Sequence, residues 1–294
     1  MIVANLIYHK QAFWEIDYIS HELCKDVYLL PQFLNTDELL NYDNCKLKPY
    51  PTIFAFTSNK ISFENVLIIV KNINPDIIFY LSDEWGSRKK YMTLANHTKL
   101  MLVQYRHNHY DIESYNNIIQ IPLGYMDNMF CKQYGLDYPK KPIADRKLIW
   151  SFVGNPHNPD RILMLDRFKC NFDSGQYFND SNKTAGEMLD IYNNSVFVPS
   201  PRGQNVLDCF RLYEAIFCGA IPIVSGNIDE VNSCFYYGGN KPPFIFCKSW
   251  GEAVVTCKKL LEDKDKLEEI QKECHSWLKS QIESIQSRIL DILN

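Results

Sequence analysis

The sequence predicts an α/β fold made of two doubly wound halves, each built on a parallel sheet. Short β-branched or aromatic runs alternate with helical stretches along most of the chain, which is typical of βαβ units. The runs are almost continuously apolar, as expected for strands of a sheet that is covered on both faces. With 294 residues, the chain is long enough for two such halves of roughly 120–150 residues each.

The first half, predicted as a domain over residues 1–130, contains six candidate strands. A segment at 131–146 then interrupts the alternation with glycine, prolines and charged residues, and it is the predicted linker. The six strands are expected at 2–8, 26–30, 52–57, 76–82, 99–105 and 118–122.

The second half is predicted as a domain over 147–275, followed by a C-terminal helix at 276–294. Because parallel sheets bind ligands at the carboxyl ends of their strands, we expect the active site in a cleft between the two halves. Its strands are expected at 147–154, 195–199, 220–224 and 244–246, and its helices at about 160–169, 184–192 and 205–218.

Composition excludes several classes of protein. The net charge is −4 and the basic residues are scattered, which predicts no nucleic-acid partner. No apolar run is long enough to span a membrane or to form a signal peptide, so we expect a soluble, cytoplasmic protein. The ten cysteines contain no CxxC pair and are expected to be reduced core residues, among them Cys209, Cys218 and Cys257. The oligomeric state is left open.

The joint between the strand at 195–199 and the following helix carries an unusual amount of charge. Asn205 is a good N-cap, and a helix that begins there offers free amides and a positive dipole end to an anion. Two arginine forks suit a diphosphate, and a glutamate can accept from both ribose hydroxyls. The alternative is an ordinary surface pair of Arg211 and Glu214 beside a solvated Arg202. The candidate residues are Ser200, Arg202, Gly203, Asn205, Arg211 and Glu214.

Two motifs resemble the exostosin family of glycosyltransferases (family 47). The pattern that runs from Ser195 through the Arg211–Glu214 pair to the segment "CGAIPIV" is similar to the nucleotide-sugar motif of that family. Upstream, Arg146 followed by "FVG" and then Arg161 is similar to the family's entry into the same domain. The chain looks most like the compact, anchorless exostosin-like transferases that some large viruses encode.

The resemblance implies a GT-B fold with two Rossmann-like domains facing across a cleft, the donor in the C-terminal half and the acceptor in the N-terminal half. It implies inverting transfer from a UDP-sugar to a glycan hydroxyl without a metal or other cofactor, and it favours a UDP-pentose such as UDP-xylose. Alternatives are a GDP-fucose-type transferase or a catalytically silent sugar-nucleotide-binding or glycan-binding module. The resemblance implies that Arg161, Arg202 and Arg211 bind the diphosphate and that Glu214 binds the ribose. It also implies that Gly154 and Asn155 line the loop below the diphosphate and that Ser200 helps to hold the donor.

Inverting transfer also needs a base for the acceptor hydroxyl. Asp83 and Glu84 directly follow the strand at 76–82 and are therefore expected at the carboxyl edge of its sheet. Asp83 is the preferred base, with Glu84 in reserve. The neighbouring Trp85 is expected to stack on an acceptor sugar. The alternative is that both acids only cap the helix predicted after them.

His107 and His109 follow the next strand and are predicted in the acceptor pocket. Their H-x-H spacing also suits a metal, but no further ligands stand at suitable spacing, so no metal site is predicted. The Asp263-Lys-Asp265 sequence matches the DxD pattern of metal-dependent transferases of another fold. Because it opens a lysine- and glutamate-rich helix, we interpret it as a helix cap.

Overall fold

The computed structural model describes residues 1–10, 14–43, 47–86, 88–105, 107, 110, 112–130, 135–179, 183–235 and 241–294. The chain divides into two compact units, which we call unit 1 (Met1–Pro122 and Gln281–Asn294) and unit 2 (Leu123–Ser280). Each unit is built on a parallel sheet with helices, which confirms the predicted α/β class. Within the described residues, no helix is both long enough and apolar enough to cross a membrane.

Unit 1 contains a six-stranded parallel sheet in the order β2-β1-β3-β4-β5-β6. Its central strands are buried along their whole length, as their apolar sequences predict. The strands are β1 Ile2–His9, β2 Val27–Leu34, β3 Thr52–Thr57, β4 Ile77–Leu81, β5 Leu100–Val103 and β6 Ile118–Gln120.

The helices of unit 1 are short, and the longest before the C-terminal segment is α2 (Phe63–Ile73). Ser62 caps it by accepting from the Asn65 amide, and its buried face repeats at helical spacing. Helix α1 spans Thr36–Leu40, a π-helix spans Tyr18–Leu23, and 3-10 helices span Lys89–His97 and Ile112–Ser114.

Unit 2 contains a five-stranded parallel sheet in the order β11-β10-β9-β7-β8. When the strands are numbered from β7 and the sheet is followed from its β8 edge, the order is 2-1-3-4-5. The first five strands of unit 1 have the same order. In unit 2 the strand order reverses between β7 and β9. The edge strand β8 was not predicted from the sequence. The strands are β7 Leu148–Val153, β8 Gly175–Phe178, β9 Ser195–Pro199, β10 Ile221–Ser225 and β11 Ile245–Cys247.

Unit 2 also contains most of the helices: α3 Pro159–Lys169, α4 Ala185–Asn193, α5 Phe210–Phe217, α6 Ile228–Phe235, α7 Trp250–Leu260 and α8 Lys264–Leu293. The predicted helix at 276–294 is the second half of α8, and the residues of α8 from Gln281 onward belong to unit 1. Asp263 caps α8 by accepting from the Lys266 amide at 3.0 Å, as its interpretation as a cap requires.

Helix α5 begins five residues later than predicted, so the prediction that Asn205 is its N-cap is wrong. The helix starts at Phe210 after Cys209, and Asn205 lies exposed in the preceding loop. Tertiary hydrogen bonds hold this loop in another shape, since the Asn158 amide donates to the carbonyl of Gly203 at 2.6 Å. A favourable capping residue therefore does not start a helix here.

Candidate nucleotide-binding site

Two arginines meet above one buried aromatic ring at the carboxyl end of β7. The guanidinium carbon of Arg211, on α5, lies 4.3 Å from the Phe152 ring centroid, and that of Arg161, on α3, lies 6.0 Å from it. Arg211 donates from Nε and Nη2 to the Val153 carbonyl, at 2.9 and 2.7 Å. A neutral carbonyl orients the guanidinium without cancelling its charge. The pair therefore concentrates positive charge at the point where the strand order reverses.

Gly154 makes this approach possible. It follows β7 with a φ of +154°, a conformation that L side chains rarely adopt. A β-carbon at this position would collide with the Arg211 guanidinium and would lie 3.1 Å from the Phe152 ring. A glycine is therefore required beneath Arg211, and its amide donates to the Phe178 carbonyl at 3.0 Å.

Arg161 ties the loop after β7 to the loop after β9. Its Nη1 donates to the Asn155 carbonyl at 2.8 Å, and its Nε donates to the Arg202 carbonyl at 3.2 Å. The Asn155 side chain is exposed, while Arg161 is buried. Arg161 therefore joins the two loops that were predicted to surround the diphosphate.

The Arg202 side chain is ion-paired, which sequence reasoning missed. Its Nη1 lies 3.3 Å from Oε1 of Glu230 in α6, and it also donates to the Asn205 carbonyl at 3.1 Å. Its backbone amide donates to Asp160 at 3.0 Å. The amide of Gly203 donates to the Val206 carbonyl at 2.9 Å, so this predicted phosphate donor is used within the loop.

Glu214 lies inside α5 and is almost fully buried. Burial raises the pKa of its carboxyl to about 7, against the opposing effects of the Arg211 charge and of the Met126 amide. That amide lies 3.4 Å from the carboxylate. The alternative of an ordinary surface pair with Arg211 is therefore wrong. Glu214 is a buried acid with a raised pKa, which is common at functional sites.

Two further residues of the predicted motifs have structural contacts. Ser200 is fully buried, and its hydroxyl donates to the Val198 carbonyl at 3.2 Å. Arg146 is also buried and donates to four carbonyls, those of Lys141, Tyr192, Ser195 and Cys218. Burial lowers the pKa of Arg146 to about 10. Arg146 therefore holds the chain before β7 against the end of α5.

In unit 1, Asp83 follows β4 at the carboxyl edge of the sheet. Its Oδ2 accepts from the Tyr80 hydroxyl at 2.9 Å and also from the Tyr110 hydroxyl. Burial raises the pKa of both tyrosines above the usual range, so both phenols remain donors. The helix after this segment begins at Lys89, so the alternative in which Asp83 caps it is wrong.

A second buried acid at this edge was missed. Glu15 lies in the segment after β1, and its Oε1 accepts from the Ser82 hydroxyl at 3.2 Å and from the Gln104 amide at 3.3 Å. Ser82 has a φ of +61°, which is unusual for a residue other than glycine. The only sequence signal was the position of an acid after a strand, and such positions are common.

The predicted acceptor residues differ in exposure. Trp85 is 59% exposed, and Trp14, beside Glu15, is 56% exposed. His107 is buried and donates from Nε2 to the Asp83 carbonyl at 2.8 Å, so it supports the turn that carries Asp83. Glu84 is half-buried next to Trp85. His109 lies outside the described residues.

No group of three or more His, Cys, Asp or Glu side chains in the described part of the chain is arranged to hold a metal ion. The eight described cysteines are free, and seven of them are buried, including Cys209, Cys218 and Cys257. Cys209, Cys218 and Cys257 are therefore buried as predicted, whereas Cys170 is exposed.

Solved structures that resemble the whole chain include three that contain UDP or UDP-glucose. An alpha-glucosyltransferase in complex with UDP-glucose and DNA has a TM-score of 0.62 at 10% identity, over 99% of this chain and 98% of that one. Anabaena HepE in complex with UDP and glucose has a TM-score of 0.58 at 8% identity, over 100% and 99%. T4 phage BGT in complex with its UDP-glucose substrate has a TM-score of 0.53 at 13% identity, over the full length of both chains.

The fold shared with these enzymes is GT-B, which confirms the fold prediction. The family model described as the RXYLT1 C-terminal domain matches residues 166–294, a span that runs from α3 to the end of the chain. No curated protein matches the sequence.

Proposed function

We propose that this protein is a glycosyltransferase that moves a sugar from a UDP-sugar to an acceptor hydroxyl. The observation that carries the proposal is the pairing of Arg161 and Arg211 above Phe152 where the strand order of unit 2 reverses. Doubly wound sheets bind nucleotides at such points. The similar structures contain UDP or UDP-glucose, and the matched family model covers the helix that carries Arg211.

In the proposed reaction the donor is held by unit 2. Arg161, Arg202 and Arg211 bind the diphosphate, with Gly154 and Asn155 below it, and Ser200 and Gly203 shape the loop after β9. Asn205 contributes through the carbonyl that orients Arg202. Glu214 accepts from the ribose hydroxyls. Each guanidinium offers a fork of donors that matches phosphate oxygens.

We propose inverting transfer without a metal. The acceptor oxygen forms a bond to the anomeric carbon while the bond from that carbon to the diphosphate oxygen breaks. The bonding pair leaves on the nucleoside diphosphate, where the arginines stabilise the developing charge. The acceptor proton passes to a carboxylate, for which we propose Asp83 with Glu84 in reserve.

For the substrates we propose a UDP-pentose such as UDP-xylose as the donor and a glycan hydroxyl as the acceptor. Trp85 is exposed, as a platform for a sugar ring must be. His107 supports the Asp83 turn, and His109 belongs to the same predicted pocket. One similar enzyme was solved with DNA, but the net charge of −4 disfavours a polyanionic acceptor here.

Calorimetric titration with UDP tests the donor site. Arg211→Ala is expected to weaken UDP binding by about 100-fold, since charged hydrogen bonds to phosphate are lost. Arg167→Ala is the matched control, because this arginine is exposed on the same helix as Arg161. Unchanged UDP affinity in Arg211→Ala would remove that residue from the site.

A screen of nucleotide-sugars tests the donor class. We expect UDP to raise the unfolding temperature more than GDP does, because a ligand of the folded state stabilises it by mass action. A larger shift with GDP favours the GDP-fucose alternative. UDP binding without turnover of any UDP-sugar, with water or glycans as acceptor, favours a silent binding module.

A further inference from the structure

We propose that Glu230 binds hydroxyl groups of the donor's sugar and so contributes to the choice of sugar. The inference rests on the proposed function, because it requires that Arg202 binds the diphosphate. It adds a residue that no sequence motif pointed to. It is based on the contacts of Glu230 with Arg202 and on a nearby acid, Asp160, whose two carboxylate oxygens already have structural partners.

Glu230 stands at the same sheet edge as the arginines. It lies in the first turn of α6, directly after β10, and β10 pairs with β9, whose loop carries Arg202. Its Oε1 lies 3.3 Å from both Nη1 and Nη2 of Arg202, and its Oε2 lies 3.4 Å from Nη2. A phosphate bound to Arg202 would therefore lie next to this carboxylate.

The ion pair is open to a ligand. The side chains of Arg202 and Glu230 are 29% and 40% exposed. Their contacts are longer than the ~2.7–2.9 Å of strong charge-assisted hydrogen bonds. Exposed pairs of this kind add little to stability, so a ligand can rearrange them at little cost.

Asp160 also lies beside this loop, but both of its oxygens already have structural partners. One accepts from the Trp250 indole at 2.7 Å, and the other accepts from the Arg202 amide at 3.0 Å. The Glu230 carboxylate instead accepts from the Arg202 side chain and, weakly, from the Asn227 amide at 3.4 Å. Glu230 is thus the acid that a bound ligand can engage.

A carboxylate beside a phosphate-binding arginine weakens the binding of phosphate alone, because like charges repel. It gains hydrogen bonds when the ligand also carries hydroxyls, since a carboxylate only accepts. A UDP-sugar presents hydroxyls on the ribose, which is assigned to Glu214, and on the transferred sugar. The combination of Arg202 with Glu230 therefore suits a phosphate that is linked to a sugar.

The test compares Kd values for UDP, UDP-glucose and UDP-xylose in the wild type and in Glu230→Gln, by calorimetry on the full chain. We expect UDP to bind Glu230→Gln as tightly or up to a few-fold more tightly. We expect the affinity of the preferred UDP-sugar, relative to that of UDP, to fall by about tenfold or more. Asp229→Asn, the exposed neighbour with the same loss of charge, should leave this ratio unchanged.

Three results would overturn the inference. An equal loss of affinity for UDP and UDP-sugars would make Glu230 only a positioning partner of Arg202. No change for either ligand would make the contact a surface ion pair. A fall in the ratio that is as large in Asp229→Asn as in Glu230→Gln would make the effect one of net charge and not of a hydrogen bond to the sugar. A wild type that binds none of the three ligands rejects the proposed function itself, a result distinct from the other three.

Discussion

The two units share one strand order but place opposite charges at the carboxyl edges of their sheets. In unit 2, Arg161 and Arg211 meet above a phenylalanine ring and donate to backbone carbonyls. In unit 1, the buried acids Glu15 and Asp83 accept from serine, glutamine and tyrosine side chains. These carbonyl, hydroxyl and amide partners are all neutral groups.

Under the proposed function, this difference lets one topology serve two steps of the reaction. A guanidinium that is oriented by carbonyls keeps its positive charge and can stabilise a leaving diphosphate. A carboxylate that is oriented by hydroxyl and amide donors is placed to accept a proton. Variants in unit 1 should therefore change turnover, and variants in unit 2 should change donor affinity.

The largest expected effect is on turnover, in unit 1. Asp83→Asn should lower kcat by about 10²–10⁴-fold and leave the Kd for UDP unchanged, because a general base contributes that much to rate. Asp76→Asn is the matched control, since Asp76 directly precedes the same strand, at its opposite end. Full activity in Asp83→Asn, with a loss in Glu84→Gln, would transfer the role to Glu84.

Next in size is a change in stability, in unit 2. Burial raises the pKa of Glu214 to about 7, and ionising it in the folded state therefore costs free energy. Above pH 7, Glu214→Gln should be more stable than the wild type by about 3 kcal/mol in denaturant unfolding. The difference should shrink as the pH falls and vanish below about 4.5, where the carboxyl is protonated in both folded and unfolded chains.

The same carboxyl predicts how donor binding depends on pH. UDP-glucose should bind the wild type more weakly at pH 6 than at pH 8, since the ionised form is the better acceptor for ribose hydroxyls. UDP-glucose is the suitable probe because it has no terminal phosphate that titrates near pH ~6. A pH-dependence that persists in Glu214→Gln would argue against this role.

A smaller effect on UDP binding and stability is expected at Gly154, which lies against the Arg211 guanidinium. Gly154→Ala should displace the guanidinium, weaken UDP binding by about tenfold and destabilise the fold by about 1–3 kcal/mol. Its effect on UDP should disappear in an Arg211→Ala background, because the two changes act on one contact. Gly186→Ala is the control, since a β-carbon there meets no atom within 4 Å and should stabilise α4 slightly.

The smallest expected effect is at the tyrosines of unit 1. Tyr110→Phe removes one of the two phenol donors to Asp83 and should lower kcat by up to about tenfold without changing the Kd for UDP. Tyr42→Phe removes a 2.7 Å hydrogen bond to Gln32 elsewhere in unit 1 and should leave kcat unchanged. Weaker UDP binding in Tyr110→Phe would contradict the division between the units.

Sequence patterns predicted most of the sheet positions, because buried parallel strands are continuous apolar runs that few other structures produce. They failed where the signal is weak. The edge strand β8 is half-buried and lacks such a run. Helix α5 begins at Phe210 because the loop before it is shaped by Asn158 and Asp160, which are remote in the sequence.

In the candidate sites, too, some features could be predicted from the sequence and others could not. The charged motif around Arg202, Arg211 and Glu214 is compact in sequence, so a phosphate site could be predicted there from residue types and spacing alone. The residues that contact the candidate site residues are instead far apart in the sequence. Glu230 reaches Arg202 from the next helix, and Glu15 reaches Ser82 from a segment 67 residues earlier.

By itself, then, the sequence determined the fold class, the strands of the two sheets other than β8, and the charged joint between β9 and α5. These depend on local periodicity and on spacing along one strand and one helix, which a sequence records directly. The tertiary structure alone decided which charges are buried, which acid faces Arg202 and why position 154 must be a glycine. Those properties depend on contacts between distant segments, and the folded sheet brings these segments together.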